Sequence, residues 1–224
     1  MTEVEIGIYT HRWSEWQVRC IESIARHTKS HQYSILMTQK TGNCHQNMNR
    51  LWRRFTAPYV IMLDEDVTIL QDGWLESLIK GLESNDKIGV LGAMDIKFGL
   101  DIEGGIPEPS SPHYSSKSTI NFKRWIPAYL MAFKLSRVPF LRFDEAIPGD
   151  MGMTDVDACC QIDTNGLLVA VNSEVLVYHP ARDDDETRKK EQRPSRGWQE
   201  LWYPAQVAYM QQKWGDLFER IRQR

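Results

Sequence analysis

The run Tyr59-Val60-Ile61-Met62-Leu63-Asp64-Glu65-Asp66-Val67 constrains this chain more than any other stretch. Four apolar residues, two of them β-branched, follow the tyrosine without a polar break, the pattern of a strand buried on both faces of a sheet. The run stops at three acidic residues, which therefore hang off the carboxyl edge of that sheet, where open α/β sheets bind ligands. Carboxylates that close together repel one another unless a cation or a hydrogen-bonded partner offsets their charge. A hard divalent ion with oxygen ligands does this economically. The plainer alternative is a solvated acidic turn ahead of a helix capped by Asp72.

The flanking sequence supports a sheet. Val4 to Tyr9 reads as a first strand, and Ser14 with Gln17 gives a capping-box pattern for a helix running to about His27. Tyr33 to Met37 is a second strand, and Gly42-Asn43 turns the chain into a helix with Met48, Leu51, Trp52 and Phe55 on one face, stopped by Pro58. Asp72 is placed to cap a helix carrying Trp74, Leu75, Leu78, Ile79 and Leu82, before a strand at Ile88 to Leu91. This alternation predicts an α/β fold with a mostly parallel twisted sheet flanked by helices. Residues 95–123 are irregular and rich in Gly, Pro and Ser, as functional or mobile segments are. Beyond them, Asp155 to Ile162 reads as a short helix, and Leu167 to Val171 and Val175 to Tyr178 as two late strands. Pro204 opens an amphipathic C-terminal helix with Val207, Met210, Trp214, Leu217, Phe218 and Ile221, which Gly215 can interrupt.

At 224 residues and 42% hydrophobic the chain suits a single domain. A net charge of −3 gives no signature of nucleic-acid binding. Glu3 and Glu5 stand where a signal peptide needs basic and then apolar residues, and no apolar run approaches the roughly 20 residues that span a bilayer, so a cytoplasmic protein is expected. Cys20, Cys44, Cys159 and Cys160 lack zinc-ligand spacing and are expected to be reduced.

An ordered set of motifs then carries a resemblance. The acidic DxD element at Asp64 to Asp66, Phe143-Asp144-Glu145, Thr154-Asp155-Val156-Asp157-Ala158-Cys159, Gly166 and Val177-Tyr178-His179-Pro180 together resemble glycosyltransferase family 2, with its GT-A nucleotide-sugar-binding fold. Lys213-Trp214-Gly215 is similar to the close of some bacterial members. The resemblance spans roughly residues 4 to 180. It implies a nucleotide-binding half over 1–94, an acceptor and catalytic half over 95–182, and a mobile loop and C-terminal helix over 183–224.

It also implies site residues. Asp66 would ligate Mn²⁺ or Mg²⁺, Asp64 would ligate it too or contact the ribose, and His179 would complete the metal site, with Glu65 beside them. Asp155 falls at the family's catalytic base, although Thr154 replaces the usual preceding glutamate, and Asp157 is the rival base. Tyr9, Thr10, His11, Gln39 and Asn49 fall around the nucleotide, with the Gln39 amide in place of a common aspartate but still able to pair with uracil. The implied reaction is inverting, metal-dependent transfer of a sugar from a nucleotide diphosphate, UDP foremost, to a saccharide, lipid-linked or other hydroxyl acceptor. A sugar-phosphate nucleotidylyltransferase is the rival enzyme, though the first loop lacks the Gly-rich phosphate-gripping pattern that chemistry needs. A degenerate GT-A domain acting as a binding module is the non-catalytic rival. The charged stretch Asp183 to Arg196 is expected to order over bound donor, or to be a solvated linker.

Overall fold

The computed structural model describes residues 3–10, 15–39, 41–95, 120–179 and 203–222. Their order is β1 (Glu3–Thr10), α1 (Glu15–His27), β2 (Gln32–Gln39), α2 (Cys44–Trp52), β3 (Tyr59–Asp64), β4 (Thr68–Ile69), α3 (Trp74–Glu83) and β5 (Ile88–Asp95). Then follow β6 (Ile120–Lys123), β7 (Leu130–Lys134), α4 (Thr154–Thr164), β8 (Leu168–Tyr178), α5 (Tyr203–Trp214) and α6 (Asp216–Arg222).

The strands form one sheet in the order β2-β1-β3-β7-β5-β8-β4, with β6 also paired to β8. β1 runs parallel to both β2 and β3, and β5 parallel to β8. The sheet is nevertheless mixed, because β7 inserts antiparallel between β3 and β5. Its residues Leu130 to Phe133 are all fully buried, and an apolar run of that kind is most stable as a central strand with neighbours on both edges. The short strand β4 was not foreseen, and pairs antiparallel with Thr68 opposite Tyr178.

Side chains on β3 alternate between two cores, as a strand covered on both faces requires. Ile61 and Leu63 join Ile6, Ile8 and Leu130 under Cys20 and Ile24 of α1 and Trp74, Leu75 and Leu78 of α3. Val60 and Met62 join Met131, Phe133 and Val169 under Met48, Leu51 and Trp52 of α2 and Ala158, Cys159 and Ile162 of α4. All four cysteines are free and buried.

Three local expectations change. Asp72 does not cap α3, whose N-cap is Gly73 in the left-handed region (φ 76°); Asp72 instead pairs with His27, at 2.8 Å, and with Lys29. The two late strands are one strand, β8, whose register against β5 jumps from Asn172 to Leu176. Asn172 holds this bulge by donating to Ser77 O (2.9 Å) and accepting from Glu174 N (2.9 Å). The C-terminal helix is two helices, broken at Gly215 with φ 51°. Among the described residues no helix is long and apolar enough to cross a membrane.

Candidate active site

β3 ends at Asp64, and the turn that follows is closed by Val67 N donating to Asp64 O (3.3 Å). The pairing of β4 with the end of β8 then carries Asp66 back beside His179. His179 Nε2 lies 3.2 Å from Asp66 Oδ1 and 3.8 Å from Asp64 Oδ2, and one ligand atom from each of the three residues falls within 4.8 Å of the others. The imidazole ring stacks on Tyr129 with centroids 5.3 Å apart, and the His179 backbone is held by its N–H donating to Asp95 Oδ1 (3.1 Å). Tyr129 is itself fixed, donating its hydroxyl to Ala93 O (2.9 Å). Asp66 is buried, whereas Asp64 and His179 are half-buried and open to ligand. Two carboxylates and one imidazole nitrogen form a donor set that fits Mn²⁺ or Mg²⁺ with positions left for phosphate oxygens. Glu65, in the same turn, is half-buried and outside this group.

A cavity of about 660 Å³ opens from this edge, lined among others by Tyr9, Asp64 and His179 and by Thr154, Asp155 and Val156 at the start of α4. α4 begins after Met153, which takes a left-handed conformation (φ 58°), and Asp157 N donates back to Met153 O (2.8 Å). Burial pushes the Asp155 carboxyl above the usual carboxylate range, against hydrogen bonds from the backbone of Val156 and Asp155, from Trp125 and from the Ala128 backbone. A carboxyl raised in this way is poised to take up a proton.

The structure separates Asp155 from Asp157. Asp157 is 1% exposed and does not line the cavity. Its carboxylate accepts from Lys213 Nζ (2.7 Å), Trp214 Nε1 (2.8 Å) and Gln161 Nε2 (2.8 Å), so it is an anchor for the C-terminal helices. Thr154, between the cavity and the α2 N-terminus, has its hydroxyl 3.0 Å from His45 Nδ1 and 3.5 Å from Cys44 Sγ. His45 is fully buried, and desolvation lowers its pKa to about 4, so the imidazole is neutral at physiological pH.

The residues expected around a nucleotide divide. Tyr9 lines the cavity, and burial followed by the nearby Cys44, Asp64, Glu65 and Asp150 raises its phenol. Thr10 is buried and donates its hydroxyl to Thr38 O, tying β1 to β2. Gln39, opposite Thr10 in the register, is exposed and does not line the cavity. Asn49 is a structural clamp: Nδ2 donates to Phe143 O (2.7 Å) and Glu145 Oε1 (2.8 Å), and Oδ1 accepts from Phe143 N (3.0 Å). Its amide is consumed in holding the loop before α4. His11, Ser14, Pro180 and the stretch Asp183 to Arg196 lie outside the described residues.

Sequence reasoning missed the groups that hold the site together. Lys213 Nζ bridges Asp157 and Asp144, the latter at 2.6 Å, and Tyr209 donates to Asp144 (2.7 Å). Gln206, fully buried, donates to Pro148 O and Met151 O, both at 2.6 Å. These partners lie 55 to 69 residues apart, beyond any local spacing rule. The Lys213-Trp214 pair was the one visible trace of them.

Solved structures share this architecture. S. aureus TarS 1-349 superposes with a TM-score of 0.60 at 10% identity, covering 98% of this chain and 83% of that one. In another TarS crystal structure the match covers 82% of this chain but 38% of that one, with TM-score 0.57 and 12% identity. GalNAc-T7 with UDP, GalNAc and Mn²⁺ gives 0.62 at 12% identity, covering 98% and 54%. The mannosyltransferase PcManGT from Pyrobaculum calidifontis, in complex with GDP-Man and Mn²⁺, gives 0.60 at 13% identity, covering 97% and 67%. No curated protein matches by sequence. The family model for glycosyl transferase family 2, however, matches residues 18–139, more than half of the chain and the stretch that builds β3, the acidic turn and β7. On that match, with a GT-A sheet behind the Asp64, Asp66 and His179 cluster, this chain belongs to glycosyl transferase family 2.

Proposed function

We propose that this chain transfers a sugar from a nucleotide diphosphate sugar to an acceptor hydroxyl, with inversion at the anomeric carbon and UDP as the nucleotide. The observation that carries the reading is that Asp64 and His179, which cluster with the buried Asp66, line the same cavity as Asp155. The presence of Mn²⁺ with UDP in GalNAc-T7 and with GDP-Man in PcManGT supports it.

Asp64, Asp66 and His179 would hold Mn²⁺ or Mg²⁺, which when bound supplies Lewis-acid neutralisation of the departing diphosphate. Asp155 takes the acceptor hydroxyl proton as that oxygen bonds to the anomeric carbon. The nucleotide diphosphate departs from the opposite face with the electrons of the broken C–O bond, so a single displacement inverts the centre. Tyr9 lines the donor side of the cavity. Tyr129 stacks on the His179 ring while Asp95 holds the His179 backbone.

A panel of UDP-, GDP- and dTDP-sugars with Mn²⁺, read first by thermal shift and then by release of the nucleotide diphosphate, tests this. A ligand that binds the folded state alone raises apparent stability. The expected result is a rise with a UDP-sugar that EDTA abolishes, followed by metal-dependent UDP release. Release of pyrophosphate from a nucleoside triphosphate, or no response to any donor, would overturn it.

A further inference from the structure

The turn that presents Asp155 does not hold itself. It runs through Gly149 (φ 93°), Gly152 (φ 100°) and Met153 (φ 58°), and Met153 is the one residue other than glycine with a left-handed backbone among the described residues. A side chain in that region is disfavoured unless its surroundings fix it. Met153 is also the N-cap of α4, and its side chain makes no capping hydrogen bond. The first turn of α4, and Asp155 with it, therefore depends on contacts from elsewhere.

Two of those contacts come from the start of α2. Cys44 N donates to Asp150 O (2.7 Å), tying the loop to a helix end that is itself fixed by a capping box between Asn43 and Gln46. At the first residue of α4 the Thr154 hydroxyl meets α2 again, 3.0 Å from His45 Nδ1 and 3.5 Å from Cys44 Sγ. His45 is fully buried and does not line the cavity, so it acts on the reacting atoms through the hydroxyl it touches and not directly. Desolvation keeps its ring neutral, so the tie itself brings no charge up to the site. Thr154 and Asp155 are consecutive, and any rotation of that first turn carries the carboxylate with it.

We propose that His45 and Thr154 are positioning residues for the catalytic base: the Thr154 hydroxyl, pinned to His45 on α2, fixes the first turn of α4 so that Asp155 faces the anomeric carbon of the bound donor. This rests on the glycosyltransferase reading above and adds to it the groups that aim the base. It also gives a role to the threonine that replaces the family's usual glutamate.

The test measures UDP release from UDP-glucose, UDP-galactose and UDP-N-acetylglucosamine by the whole chain with Mn²⁺, water serving as acceptor. The water oxygen bonds to the anomeric carbon, its proton passes to Asp155, and UDP leaves with the electron pair of the broken bond. Thr154→Val removes the hydroxyl at nearly constant volume, and His45→Leu removes the ring nitrogen. Each should lower kcat roughly 10- to 100-fold, the order expected when a reacting group is displaced by about 1 Å, with the donor KM and UDP affinity unchanged. Thr154→Ser, which loses the methyl and keeps the hydroxyl, should retain most of the rate, the opposite of what a packing role requires. In Asp155→Asn, where no base remains to be aimed, adding Thr154→Val should lower the rate no further. Every variant is first confirmed to bind UDP with Mn²⁺, and because His45 is buried, Thr154→Ala is measured alongside His45→Leu. Full kcat in Thr154→Val, a change confined to KM, or an equal further loss in the Asp155→Asn background would overturn the proposal and leave the donor reading intact. Absence of UDP release by the wild type from all three donors would overturn the donor reading and this inference with it.

Discussion

Replacing Lys213 by methionine removes the one cation that pairs with Asp157 among the described residues while keeping most of the side-chain volume. Asp157 is 1% exposed, so its carboxylate has no water to turn to, and it would keep only the neutral hydrogen bonds from Trp214 and Gln161. Stranding one partner of a buried ion pair costs about 3–5 kcal/mol. Lys213 is 29% exposed and Asp157 retains two donors, which brings the expected loss below that range, to about 2–3 kcal/mol. For a domain of this size that corresponds to a fall in Tm of about 4–12 °C. Urea unfolding followed by tryptophan fluorescence measures it. The double variant Lys213→Met with Asp157→Asn should recover part of the loss, because no buried charge remains to be compensated. A loss below about 0.5 kcal/mol, or a double variant no better than the sum of the singles, would refute the claim that this latch anchors the helices.

Acid should weaken the same latch through Asp144: burial alone would raise its carboxyl, but bonds from Lys213, the Ala146 backbone and Tyr209 hold it below the usual range. Its stabilisation is therefore complete above the unfolded carboxyl pKa of about 3.9 and is lost as pH falls through the lower folded value, a step Asp144→Asn should remove from acid unfolding curves. His45 works in a higher window, because its folded pKa near 4 lies below the unfolded value near 6.5, so the unfolded chain binds more protons between them. Stability should fall as pH drops through that range, by up to about 1.4 kcal/mol per pH unit, and His45→Gln should flatten the slope. Asp155→Asn should cut transfer by about 10²- to 10⁴-fold with UDP affinity retained, whereas activity that survives this change would remove Asp155 as the base. Gly7→Ala would place a Cβ 2.4 Å from Phe55 Cζ and should cost about 1–3 kcal/mol by urea unfolding, with no loss arguing against the packing of β1 on Phe55.

What the sequence revealed was what local pattern encodes. The apolar run before Asp64 announced a strand covered on both faces, and the structure divides its side chains between two cores. The acidic end of that strand and the distant His179 were legible as neighbours because the motifs came in family order, and β4 with β8 supplies the pairing that brings them together. β7 was illegible as a strand between β3 and β5, since a short fully apolar run carries no record of its neighbours. Asp155 and Asp157 could not be told apart for a related reason. Two carboxylates two residues apart face different sides of a helix, and which side holds the cavity depends on Lys213 and Trp214, more than 50 residues on. The clamp that Asn49 forms on Phe143 and Glu145 was not legible either, because a buried amide that holds a loop has the same sequence signature as one that contacts a nucleotide.

The central claim is that Asp64, Asp66 and His179 bind a nucleotide diphosphate through a divalent cation. Isothermal titration of UDP into the wild-type chain and Asp66→Ala, each with Mn²⁺ and each with EDTA, tests it directly. The account predicts binding by the wild type with Mn²⁺, and its loss both on chelation and in Asp66→Ala, with the circular dichroism of the variant unchanged. Equal UDP affinity under all four conditions would contradict it.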